Sequence, residues 1–244
     1  MTLTAVALAL GIGLVMGLLG GGGSILAIPA LTLWLHFPPK EAVVISLAVV
    51  GIAATAGAVG SLVRGTLPLA AGLIVGLAAT VGALLGGFVG AQLADATQLR
   101  MLGVVMLVAA ALMFWNPATD TSPAARRSVP VLLAIGLPLG ILTGLIGVGG
   151  GFLIVPALVL VARLPMREAT GASLVVMAMA SASGLPGYLL NTPLALSFVG
   201  PFAAVAATGA LAGGMITHRL PQRRLQQAFA ATLVVLGAYV LIRS

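Results

Sequence analysis

Polar residues along this chain are sparse, and they fall into short clusters separated by long apolar runs. The runs lie at about residues 3–36, 42–63, 67–94, 98–115, 130–162, 168–190, 193–217 and 224–242. Most match or exceed the roughly 20 residues that carry an α-helix across a ~30 Å hydrocarbon layer. None alternates polar and apolar positions over about 10 residues, as a transmembrane barrel strand would. The pattern predicts an all-α, polytopic membrane protein of about eight transmembrane segments.

The chain also matches itself at an offset of 127 residues. "GLLGGGGSILAIPALTLWLHFPPKEA" from Gly17 lies without a gap over "GLIGVGGGFLIVPALVLVARLPMREA" from Gly144. Gly20, Gly22, Gly23, Pro29, Pro38, Glu41 and Ser46 fall on Gly147, Gly149, Gly150, Pro156, Pro165, Glu168 and Ser173, and Lys40 falls on Arg167. Shared hydrophobicity aligns leucines by chance, but not glycines, prolines and a basic-acidic pair together. Residues 1–244 therefore read as one transmembrane domain built from repeats 1–117 and 128–244, joined near residues 116–129.

The opening segment of each repeat is too long for one crossing. At 1.5 Å per residue, a helix over 3–36 would run about 51 Å, well beyond the hydrocarbon thickness. Interior glycine costs a helix about 1 kcal/mol relative to alanine. The runs Gly20–Gly23 and Gly147–Gly151, the second interrupted by Val148, are thus the expected break points. Glycines spaced every fourth residue read differently. Gly13 and Gly17, Gly136, Gly140 and Gly144, Gly82, Gly86 and Gly90, and Gly209 and Gly213 have the spacing of close helix packing in lipid. If each opening segment crosses simply, the repeats are parallel and the cations split 7 to 4 between the faces; if each folds back at its glycines, the repeats are inverted and the split is 8 to 3, with Lys40, Arg100 and Arg243 in the minority.

Composition narrows the classes further. Hydrophobic residues make up 61% of the 244 and charged residues only 6%, against about 25% charged in a soluble domain. Connections are short, the longest polar one being residues 116–128, so function must reside within or between the helices. There is no cysteine, which removes disulfides, thiolate ligands and cysteine nucleophiles. No basic residue precedes Lys40, so the start reads as a membrane element and not a signal peptide. The net charge of +7 fits contact with anionic lipid and orientation by the positive-inside rule. The expected partners are the bilayer and a small anionic substrate, with no nucleic acid; a homo-oligomer stays open.

A helix broken inside a membrane leaves amides and carbonyls that only protein or a water-filled cavity can meet. The half-helices that begin near Ser24 and Gly151 point free N–H groups and a positive dipole end at the break, which suits an anion. Gly20, Gly21, Gly22, Gly23 and Ser24, with Gly147, Gly149, Gly150 and Gly151, are the candidate substrate-binding residues. Paired breaks at equivalent repeat positions are the mark of a transporter site. Ser46 and Ser173 join them because they are equivalent, each about five residues into the second element of its repeat. Glu41 and Glu168 follow "PPK" and "PMR" and suit helix starts better than a proton relay. No metal or cofactor is expected. An intramembrane serine hydrolase, with "SASG" at 181–184 and His218 as base, is disfavoured by the terminal position of the histidine.

These motifs, each followed by "KEAVVISL" or "REATGASL", resemble the sulfite exporter TauE/SafE family, also called toluene sulfonate uptake permeases. "SLVRGTLPLAAGL" at 61–73 is similar to that family's basic-glycine stretch between the second and third spans. The resemblance implies a duplicated four-span unit that moves sulfur-containing or other small organic anions across the cytoplasmic membrane. Arg64 has no basic counterpart in the second repeat, where Asn191 stands in its place and becomes a further candidate. The expected function is an anion permease working by alternating access, with one half rocking against the other. The alternative is a non-transporting membrane assembly or regulatory subunit.

Overall fold

The computed structural model describes residues 2–115, 129–147, 151–217 and 221–243. Among these residues ten α-helices follow one another: α1 Leu3–Leu19, α2 Gly22–Pro29, α3 Pro39–Val63, α4 Leu69–Gly90, α5 Asp95–Trp115, α6 Val129–Ile146, α7 Gly151–Leu160, α8 Met166–Leu189, α9 Leu196–Thr217 and α10 Gln222–Arg243. A π-helical stretch, Ala30–Trp34, extends α2. Among the described residues, seven helices are long and apolar enough to cross a membrane, and α1, at 17 residues, falls just short. The chain is a polytopic helical membrane protein.

The opening segment breaks at its glycines and folds back. Gly20 ends α1 in the left-handed conformation (φ 71°), which carries no Cβ penalty only for glycine. Gly23 then lies against the Ile12 carbonyl and the Met16 backbone of α1, so α2 runs back along the helix it follows. Gly147 has the equivalent left-handed φ of 75° after α6, and His36 (57°) is matched by Arg163 (52°) at the turns into α3 and α8.

The two repeats are inverted. Equivalent helices pack antiparallel: Gly51 of α3 lies by Ser181 of α8 and Gly57 by Leu174, while Gly103 of α5 meets Leu241 of α10 and Gly237 meets Met106. Helices that correspond but point in opposite directions are related by an axis in the membrane plane. One face, face A, carries the amino-terminal ends of α1, α3, α5 and α9; face B carries those of α4, α6, α8 and α10.

The repeats also interlock. The most extensive packing sets α4 against α6 and α8, α1 against α9, α3 against α8 and then α9, and α5 against α10, all between repeats. The spaced glycines make this possible. A Cβ on Gly140 would sit 2.6 Å from the Ala79 Cα, and one on Gly209 would sit 2.5 Å from the Leu10 carbonyl. The expectation of glycine-mediated close packing is met on α1, α4, α6 and α9. The halves therefore share an extensive interface.

Candidate functional site

The two breaks meet each other. Gly21 lies in backbone contact with Gly151, and Gly151 also touches Met177, half-way along the 24-residue α8. The meeting point is therefore level with the middle of the bundle. Of the candidate residues, the structure gathers Gly20, Gly21, Gly23, Ser24, Ser173 and Gly151 here or next to it. Gly22 begins α2 beside them. Gly149 and Gly150, with His218, lie outside the described residues.

Breaking a helix in an apolar interior orphans its last carbonyls, and their partners identify side chains that the sequence reading passed over. At the first break, Ser173 Oγ donates to the Gly20 carbonyl (2.6 Å), with Thr170 O also in reach at 2.8 Å. Thr217 Oγ1 lies 3.1 and 3.0 Å from the Gly17 and Leu18 carbonyls. Ser24 Oγ donates to Gly21 O (2.8 Å). At the second break, Tyr188 Oη donates to Gly144 O (2.9 Å). Gln98 Nε2 reaches Leu145 O, Tyr188 Oη (both 2.8 Å) and Gly90 O (2.9 Å). Lys40 Nζ completes this cluster, donating to Leu93 O (2.7 Å), Gln98 Oε1 (3.2 Å) and Gly90 O (3.3 Å).

Ser46 and Ser173, which sequence equivalence pairs, behave differently. Both are fully buried and stand eighth in their helices, slightly deeper than expected. Ser173 is bonded to the break, whereas Ser46 Oγ has no hydrogen-bond partner. Ser181 Oγ is likewise buried and unpartnered. Asn191 stands apart from the breaks; it is exposed, at the face-A end of α8. Glu41 and Glu168 occupy the first turns of α3 and α8, where a carboxylate favours the helix dipole.

A polar cleft opens on face B beside the first break. Arg64, Arg167, Ser61, Thr66, Thr170 and Thr217 line it, with Gly17, Gly171 and Gly214. Its volume is about 10 Å³, enough for one water. Under the 127-residue offset, Ser61 corresponds to Tyr188, Arg64 to Asn191, Arg167 to Lys40 and Thr217 to Gly90. On face A the Tyr188 ring, Gln98 and Lys40 therefore occupy the region that on face B is a cleft. Among the described residues, no group of three metal-ligating side chains is gathered anywhere.

Proteins of similar sequence are membrane transporters by description. The chain is 30% identical over 246 residues to a probable membrane transporter protein of Xylella fastidiosa (strain Temecula1), covering 96% of this chain and 92% of that one. It is 25% identical over 235 residues to the probable membrane transporter protein YdhB of Bacillus subtilis, covering 94% and 96%. A probable membrane transporter protein of Methanocaldococcus jannaschii is 27% identical over 250 residues, covering 95% and 93%. No solved structure matches the chain. The inverted repeats, the paired glycine breaks and these likenesses agree with the match of residues 5–240 to the description "Sulfite exporter TauE/SafE", and the chain belongs to that family of membrane transporters.

Proposed function

We propose that the protein is a permease of the cytoplasmic membrane that moves a small anion by alternating access, the anion being sulfur-containing, such as sulfite or an organosulfonate. The anion passes between the breaks, held by N–H groups within Gly20–Ser24 and Gly147–Gly151 other than those of Gly20, Ser24 and Gly147, which bond Met16 O, Gly21 O and Thr143 O, with Ser46 and Ser173 alongside. The observation that carries this reading is the backbone contact of Gly21 with Gly151 at the middle of the bundle. Bare backbone from two half-helices converges there, and separating the two exposes the amides from which anion sites are built. The sulfur class rests on the family alone.

The interlocked packing supports a choice of moving parts. One unit centres on α1 and α9 and the other on α4, α6 and α8; each mixes the repeats, and α3 lies between them, packed on both α8 and α9. Face B is cytoplasmic, because among the described residues it carries Arg64, Arg163, Arg167, Arg223 and Arg224 against Lys40, Arg100 and Arg243 on face A.

Purified protein in liposomes should take up radiolabelled sulfite saturably, and excess unlabelled sulfite should compete. Gly21→Ala, which adds a methyl group where the breaks touch, should cut that flux by at least tenfold in protein that still elutes as a folded species. The reading is overturned if wild-type protein moves no sulfite, sulfonate or other small anion.

A further inference from the structure

We propose that the face-B cleft is a second anion site, distinct from the glycine breaks, in which Arg64 and Arg167 together bind a doubly charged oxyanion. The inference deepens the permease reading and rests on it for its role in transport, though not for binding itself.

Arg64 is held as part of a built site. Its guanidinium lies on bare backbone, since a Cβ on Gly214 would come 2.5 Å from its Nη2 and one on Gly60 would come 3.0 Å from its Nη1. It makes one hydrogen bond among the described residues, a long one of 3.4 Å from Nη2 to Ser61 Oγ. Its Nε is buried without a partner. A buried donor left unmet costs about 1–3 kcal/mol, and nothing in the packing of α3 against α9 recovers that cost. The neighbouring hydroxyls do not supply an acceptor of charge. Thr66 and Thr170 donate to the Ser61 and Met166 carbonyls, and Thr217 is engaged with α1.

Charge sets the class of ligand. Arg167 also lines the cleft, and among the described residues no carboxylate does. Two guanidinium groups with fixed forks, facing one cavity, fit a group that presents several oxygens and two negative charges. Sulfate, sulfite and hydrogen phosphate share that form. Face A provides an internal comparison: Asn191 stands for Arg64 and Lys40 for Arg167, so no two guanidinium groups meet at the equivalent place there. The cleft holds only a water-sized space of about 10 Å³, so an oxyanion fits only as the α3/α9 and α8 walls part. Binding and opening are thus linked. Thr170, on the cleft wall, also touches Gly20, so an anion released here lies one turn of α8 from the first break.

The test is thermal unfolding of the protein in phosphatidylcholine nanodiscs, titrated with sodium sulfate, sodium methanesulfonate and sodium acetate at constant ionic strength. Sulfate should raise the midpoint most, because a ligand of the folded state stabilises it by mass action. Arg64→Gln and Arg167→Gln should each weaken the apparent sulfate affinity by about tenfold or more, and Arg64→Lys by less, since lysine keeps the charge but not the fork. Arg224→Gln, which removes an exposed cation on the same face, should change it by less than about twofold. The proposal is overturned if the three anions act alike, if Arg64→Gln leaves the sulfate effect intact, or if 30% phosphatidylglycerol abolishes it, which would make the cleft a lipid-headgroup site. Wild-type liposomes that move no anion would defeat the permease reading alone; sulfate binding that depends on Arg64 would still stand.

Discussion

Two serines at one repeat position carry different burdens. Ser173 caps the carbonyl of Gly20, so Ser173→Ala leaves a buried acceptor without its partner and should cost about 1–3 kcal/mol. Ser46 has nothing to lose, and Ser46→Ala should be neutral within about 0.5 kcal/mol or stabilising. Thermal unfolding in detergent measures both, and equal losses would mean that the asymmetry is wrong. A drop in flux for Ser46→Ala without a drop in stability would mark its hydroxyl as one the substrate meets. The sequence shows that these serines are equivalent, because composition repeats. It does not show which is bonded, because that depends on where α1 and α6 end in space. Arg64 is visible in the sequence only as a basic residue without a twin; its approach to Arg167 is a product of helix packing that no local spacing encodes.

Among the helices, the glycines sort by what lies opposite them. Gly86 faces the Ile141 carbonyl and the Leu145 amide of α6, while Gly11 and Gly200 face open space. Gly86→Leu should prevent accumulation of folded protein, and Gly200→Leu should be tolerated, as judged by fluorescence-detected size exclusion. Four-residue spacing was enough to identify the packed set on α1, α4, α6 and α9, because backbone approach in lipid needs small residues one turn apart. The break was legible too, from excess length and glycine together. What caps it was not: Thr217, Gln98 and Tyr188 come from helices remote in sequence. Tyr188→Phe removes the hydroxyl that bonds Gly144 O and accepts from Gln98. It should lower the midpoint by about 1–2 kcal/mol equivalent and speed hydrogen exchange at the carboxyl end of α6.

For the molecule as a whole, charge counting left two topologies, and antiparallel packing of α3 with α8 selects the inverted one. Because the natural chain has no cysteine, single cysteines report topology without background. Gly65→Cys and Arg224→Cys should react with a membrane-impermeant maleimide from one face, and Asn191→Cys from the other; labelling of all three from one side would rule out inversion. Trp34 and Trp115, both well exposed, sit at the face-A and face-B ends of their segments, the levels at which indole rings favour the bilayer interface. Interlocking was not legible, since uniformly apolar helices give no sign of which neighbour each will choose. It has a consequence for assembly. In a lone repeat the first helix would keep α2 but lose α9, its most extensive neighbour. Residues 1–117 and 128–244, expressed as separate polypeptides, should find each other in the membrane and restore the intact protein.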